Sequence, residues 1–178
     1  MQLPAWILGA ILAVAAGWID LRTRKIPNWL TVSGFAAGLA MNAALTGRKG
    51  IEASLLGAGL ALAVLLPLVL MRGLGAGDWK LMGALGACLG PWRVVLVLLV
   101  SAAVAGVMAV VQVIRERRVK ETAINVVTLM HGLFVFGARP SSPVSLESPG
   151  ALALPFGVAV AIATPLGFWA SQILRVFN

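Results

Sequence analysis

The sequence predicts an all-α fold, a polytopic membrane protein of six transmembrane helices with a cytoplasmic amphipathic segment between helices 5 and 6. First, 60% of the 178 residues are apolar and only 11% are charged, whereas a soluble domain is nearer half apolar and a quarter charged. Second, charge-free stretches recur along the chain, and five of them reach the length that crosses a hydrocarbon layer, about 18 to 20 residues. The single cysteine, Cys88, excludes a secreted disulfide scaffold. The high hydrophobicity excludes intrinsic disorder.

The six helices are predicted within one membrane-embedded domain, residues 1–178, in the ranges 4–20, 28–46, 52–71, 76–90, 93–114 and 151–173. The fourth charge-free stretch is too short alone, so this helix spans only if it begins near Gly73 and carries Asp78 and Lys80 in its first turns. The first helix is predicted to be retained, because its basic cluster follows the apolar run, whereas a signal peptide has its basic residues first.

The basic residues predict the orientation. Ten of the 14 lysines and arginines lie in the first, third and fifth connections, and four lie elsewhere. This asymmetry places the odd connections in the cytoplasm and both termini outside. The net charge of +8 is then explained by topology and by anionic lipid headgroups. Nucleic acid is a poor candidate partner, because no basic patch is interleaved with exposed aromatic residues.

The long connection between residues 115 and 150 contains the predicted amphipathic segment. Its apolar residues recur at helical spacing, which predicts a helix on the cytoplasmic membrane surface. They are Ala123, Val126, Val127, Met130, Leu133 and Phe134. Two small-residue pairs elsewhere, Gly34 with Gly38 and Gly86 with Gly90, predict close helix packing.

The chain contains two aspartates, Asp20 and Asp78, at the predicted cytoplasmic ends of helices 1 and 4. An acid near the bilayer interior is costly, so each is a candidate functional residue, and two at matched depth form a candidate pair. Structural roles remain open for each acid alone. Asp20 would form an interfacial ion pair with Arg22 or Arg24, and Asp78 would favour the N-terminus of its own helix.

Both aspartates lie in distinctive local sequences. Asp78 belongs to the run GAGDWKL, residues 75–81, in which Gly75 and Gly77 are predicted to let the backbone turn sharply and approach a substrate. Asp20 is followed by the run IPN, residues 26–28. Pro27 keeps the preceding residue extended, and Asn28 is predicted to be the N-cap of the second helix.

Together these runs resemble the type IV leader peptidases, or prepilin peptidases, which are membrane aspartic proteases of the G-x-G-D type. The resemblance is strongest over residues 7–90, and LPFG, residues 154–157, is a weaker match. It implies that Asp20 and Asp78 are the catalytic residues and that Gly75 and Gly77 are motif backbone near the active site.

The resemblance also implies a substrate and a location. The family cleaves type IV pilin or pseudopilin precursors at the cytoplasmic boundary of the plasma (inner) membrane, between a basic leader and an apolar helix. The short chain looks like the compact branch that serves Flp or tight-adherence pili. Larger members carry a cysteine-rich insertion and methylate the new N-terminus. This chain has one cysteine and no such insertion, so we expect no N-methyltransferase activity.

Two carboxylates suit peptide hydrolysis, because one takes a proton from water while the other supports the carbonyl oxygen. Which aspartate is the base stays open, as do two roles for Lys80, a membrane anchor or a substrate-positioning residue. No metal and no other cofactor are expected, because His131 and Cys88 are far apart and zinc needs three or four ligands.

The alternative function is a non-enzymatic small membrane transporter or pilus-assembly factor. A transporter would usually show inverted repeats or further acids near the membrane midplane, and neither is evident. The oligomeric state is not predicted.

Overall fold

The computed structural model describes residues 3–70, 73–115 and 156–176, and these residues form six α-helices. The helices are α1 (Leu3–Thr23), α2 (Asn28–Thr46), α3 (Arg48–Leu70), α4 (Ala76–Leu89), α5 (Pro91–Arg115) and α6 (Phe156–Val176). All except α4 are long and apolar enough to cross a membrane. The predicted all-α polytopic membrane fold is therefore confirmed. The predicted amphipathic segment between the last two helices lies outside the described residues.

The fourth helix is shorter than a membrane span. It has 14 residues, which gives a length of about 21 Å against a hydrocarbon layer of about 30 Å. The condition for a full span, a start near Gly73, is not met, because α4 begins at Ala76. The N–H of Gly73 instead donates to the carbonyl oxygen of Leu68 at 2.9 Å, so Gly73 belongs to the turn that ends α3.

Helix α4 is the centre of the bundle. Every residue from Leu81 to Leu89 is buried. The other five helices all contact α4, and they contact one another in the ring order α1, α2, α3, α5, α6 and back to α1. A short helix that is apolar on all sides is thus shielded from lipid by its neighbours.

Small residues allow the close helix crossings that the glycine pairs predicted. Gly57 of α3 packs against Gly86 of α4 and against Gly90, which directly follows α4, and a Cβ on Gly57 would overlap the Gly86 carbonyl oxygen. Gly34 and Gly38 of α2 also lie at close crossings. A Cβ on Gly34 would lie 2.6 Å from a side chain of α1, and a Cβ on Gly38 would lie 2.7 Å from a side chain of α4. Both predicted pairs are therefore places where helix backbones approach closely.

Exposed tryptophans mark the two ends of the bundle. We call the end where α1 finishes and α2, α4 and α6 begin the aspartate end, and the other end the opposite end. Trp18 and Trp29 are exposed at the aspartate end, and Trp92 and Trp169 at the opposite end. The Arg22 guanidinium lies 4.6 Å from the centre of the Trp18 ring. Two such belts are typical of the two membrane–water interfaces.

Candidate active site

Asp20 lies in the last turn of α1 and is only 6% exposed. The backbone N–H of Gly157, in the first turn of α6, donates a hydrogen bond to Asp20 Oδ2 at 2.9 Å. A Cβ on Gly157 would lie 2.9 Å from that oxygen and 3.0 Å from the Asp20 Cβ. The positive N-terminal end of the α6 dipole therefore meets the carboxylate directly, and a glycine makes room for it.

A second glycine lets α1 and α6 approach one another at this point. A Cβ on Gly17 would lie 2.9 Å from the Ala161 Cβ and 3.0 Å from the Gly157 carbonyl oxygen. In sequence, the LPFG run, residues 154–157, is only a weak match and predicts no role for Gly157. The position of this glycine in the first turn of the last helix is the signal that would have found it.

Asp78 is the third residue of α4 and is half-buried. Its carboxylate is close enough to that of Asp20 for the two charges to interact. The two aspartates, which are 58 residues apart in sequence, thus lie within electrostatic range of one another at the aspartate end. The structure brings together the two acids that the sequence singled out.

The two motif glycines provide space for neighbouring groups. A Cβ on Gly75 would lie 3.1 Å from Asp78 Oδ2, and one on Gly77 would lie 3.3 Å from the Ile26 Cβ. The expectation of a sharp glycine turn is wrong, because Gly75 has an ordinary extended conformation (φ −68°, ψ 144°) and Gly77 has no positive φ. Their small size instead makes room for the Asp78 carboxylate and for the IPN run.

Trp79 anchors the first turn of α4 to α3, a role that the sequence analysis missed. Its Nε1 donates to the carbonyl oxygen of Leu62 at 2.8 Å. The Leu62 side chain in turn packs over Gly83, where a Cβ would lie 2.9 Å from Leu62 Cδ2. This contact fixes the rotation of α4 about its own axis, and hence the direction in which Asp78 leaves the helix.

Lys80 forms a hydrogen bond with the IPN run. Its Nζ donates to Asn28 Oδ1 at 3.0 Å. The prediction that Asn28 is the N-cap of α2 is wrong, because Pro27 occupies that position and no side chain caps the helix. The fixed φ of Pro27 suits a helix start, and Asn28 follows as the first helical residue with its side chain bound to α4.

A basic residue also lies near Asp20. Arg24 directly follows α1 and has φ +50°, a left-handed conformation that is uncommon for a residue with a side chain. Its N–H donates to the Asp20 carbonyl oxygen at 2.8 Å. Its guanidinium is close enough to attract the Asp20 carboxylate. The chain reversal after α1 therefore places a positive charge within electrostatic range of Asp20.

The donor set suits acid–base chemistry. Within the described residues, no three His, Cys, Asp or Glu side chains cluster as a metal site would require. Cys88 is buried in α4, with its Sγ 3.6 Å from the Gly34 carbonyl oxygen, and His131 lies outside the described residues. Two adjacent carboxylates can divide the roles of base and acid between them.

Comparison with known protein families decides the relationship. Residues 7–110 match the model of the Type IV leader peptidase family. The chain belongs to this family. No curated protein and no solved structure matches it. The matched region contains the IPN run and the GAGDWKL run with both aspartates, whereas Gly157 lies beyond it. The protein is thus a multi-pass membrane protein of a peptidase family.

Proposed function

We propose that this leader peptidase is an aspartic endopeptidase that uses Asp20 and Asp78 to remove the leader from type IV prepilin-like precursors. The observation that supports the proposal is that these two acids, from separate helices, lie at the same end of a bundle of apolar helices and within electrostatic range of one another. Asp20 is buried and Asp78 half-buried. Placing an acidic side chain among membrane-spanning helices costs free energy, so such residues usually have a function.

The proposed reaction is general acid–base hydrolysis. One carboxylate takes a proton from water as the water oxygen attacks the scissile carbonyl carbon. The other carboxyl, which is protonated, donates a hydrogen bond to the carbonyl oxygen and so supports the tetrahedral intermediate. The C–N bond then breaks as the amide nitrogen receives a proton, which gives a new carboxylate on the leader and a new amine on the mature protein.

The placement of the pair suits a substrate that is itself membrane-embedded. A pilin or pseudopilin precursor has a basic leader followed by an apolar helix, and its scissile bond lies at their junction. The two acids lie in the last turn of α1 and the first turn of α4. This depth matches that of the junction between the leader and the apolar helix of the precursor. We assign the aspartate end to the cytoplasmic face of the plasma membrane, because the connections at that end carry most of the basic residues.

The proposal extends to the compact branch of the family. The short chain favours a precursor of the Flp or tight-adherence type. Because the chain has one cysteine and no cysteine-rich insertion, we propose that it cleaves without methylating the new N-terminus. Mass spectrometry of the mature product should then show an unmodified amine, and a methylated one would contradict this part.

The test is co-expression with a panel of precursors in which a basic leader precedes an apolar helix. The intact protein should shorten at least one of them, whereas Asp20→Asn and Asp78→Asn should leave it full length. Glu52→Gln is the matched control, because Glu52 is an exposed acid at the opposite end that pairs with Arg48 at 3.0 Å. Normal processing by both aspartate variants would overturn the proposal.

A further inference from the structure

The contact between Gly157 and Asp20 joins residues that are 137 positions apart. It depends on two features of α6. The helix begins at this point, so the N–H of its second residue lacks a partner within the helix. Residue 157 also lacks a side chain, and a Cβ there would lie 3.2 Å from the Asp20 Cγ in addition to its closer contact with Oδ2.

We propose that Gly157 is a positioning residue for the cleavage reaction, whose N–H orients the Asp20 carboxylate and keeps the negative charge of the pair on Asp20. Asp20 is then the general base and Asp78 carries the shared proton. This inference rests on the proposed function, because it assigns roles within the same pair of acids.

Burial disfavours a charged Asp20, and the polar groups that face it oppose this cost. The N-terminus of α6 contributes a hydrogen-bond donor and a partial positive charge. The end of α1 contributes the Arg24 guanidinium, and α4 contributes Asp78. The first two favour a charged Asp20, and two close carboxylates do not readily ionise together. The nearby Lys80 is bound to Asn28.

The sharpest test replaces Gly157 by glycolic acid, so that a backbone ester removes the N–H and adds no Cβ. The packing against Gly17 stays the same. We expect kcat to fall about 10- to 100-fold, the range for losing a hydrogen bond to a charged group, with KM nearly unchanged. The acidic limb of the pH profile of kcat/KM should move to higher pH, because the lost donor had favoured the charged carboxylate.

Gly157→Ala tests the same contact in a complementary way, because it keeps the N–H donor and adds a Cβ that displaces the Asp20 carboxylate. The matched control is Gly167→Ala, about 15 Å further along α6. There the new Cβ would lie 3.2 Å from Val97 Cγ2. Gly157→Ala should lose kcat, and Gly167→Ala should keep it. If Gly157→Ala does not fold, the ester alone decides.

The outcomes separate the two proposals. If the aspartate variants are inactive while the ester keeps the normal kcat, the role of Gly157 is wrong and the peptidase assignment stands. An equal loss of kcat in Gly167→Ala would also overturn it, because the effect would then belong to α6 in general. If the ester lowers kcat without moving the acidic limb, the charge assignment is wrong. Processing by Asp20→Asn would overturn the role of Gly157, and normal processing by both aspartate variants would overturn the proposed function as well.

Discussion

The C-terminus of α4 lies inside the bundle, where its last four carbonyl groups need partners. The structure supplies a donor to each of them. The bonds run from Gly90 N to Gly86 O at 2.8 Å, from Asn42 Nδ2 to Ala87 O at 2.9 Å and to Cys88 O at 3.0 Å, and from Arg93 Nη1 to Leu89 O at 3.2 Å. Asn42 Nδ2 also lies 2.9 Å from Ser54 Oγ. Asn42 therefore joins α2, α3 and α4 at the opposite end from the acids.

Asn42→Leu keeps a side chain of similar size and removes this donor. The Asn42 amide has two hydrogens for its three acceptors, so two hydrogen bonds are lost. Hydrogen bonds between membrane helices contribute on average about 0.6 kcal/mol and at most about 1.7 kcal/mol. We therefore expect the free energy of unfolding to fall by about 1 to 3 kcal/mol.

Reversible unfolding in mixed micelles, followed by circular dichroism, measures this change. Thr46→Val is the matched control, because Thr46 lies one turn further along α2 and its exposed hydroxyl donates within that helix, to Asn42 O at 3.1 Å. It should change stability by no more than about 0.5 kcal/mol. In a double-mutant cycle, Asn42→Leu and Ser54→Ala should couple, because the two side chains are in contact.

The cleavage rate of the folded fraction should not change in Asn42→Leu. Asn42 contacts Ala87, nine residues beyond Asp78 in α4, which places it about 14 Å away along the helix. If Asn42→Leu is as stable as Thr46→Val, Asn42 does not satisfy the end of α4. A slower kcat in the folded fraction would show that the opposite end affects the chemistry directly.

Three further predictions concern the acids and the topology. Asp20→Asn and Asp78→Asn should each abolish cleavage, and the double variant should lose almost nothing more, because groups that act as a unit are non-additive; additive losses in a single-turnover assay would contradict a shared role. Cleavage in liposomes should survive EDTA, because the described residues hold no cluster of three or more metal-ligating side chains; loss of activity that one divalent ion restores would instead favour a metal between the carboxylates. A maleimide added outside intact cells should not label Ser142→Cys, because the basic residues place that connection in the cytoplasm, whereas ready labelling would reverse the topology.

Much of this architecture follows from local sequence properties. Bilayer thickness sets the length of a charge-free helix, so the long helices are evident from composition alone. Short connections make successive helices alternate in direction, which predicts that the end of α1 and the start of α4 lie on the same side. Asp20 and Asp78 could therefore be paired from sequence, and the structure places them together.

The features that sequence reasoning missed depend on contacts between distant residues. The turn that ends α3 depends on the bond between Gly73 and Leu68. The role of Gly157 depends on where α6 crosses α1, and that of Asn42 on the place where α4 ends. No periodicity or propensity encodes these meetings. A glycine or an asparagine in an apolar helix signals only that a neighbour comes close.

The short central helix explains why the two ends of the bundle differ. Leu89, the last residue of α4, lies beside Gly9, where a Cβ would be 3.3 Å from Leu89 Cδ2. Helix α1 continues six residues further, to Leu3, or about 9 Å, which equals the length that α4 lacks for a full span. Helix α4 therefore stops short at the opposite end and reaches full depth at the aspartate end. Because the missing length falls where Asn42 and Arg93 satisfy the free carbonyls, the first turn of α4 can carry Asp78 to the level of Asp20.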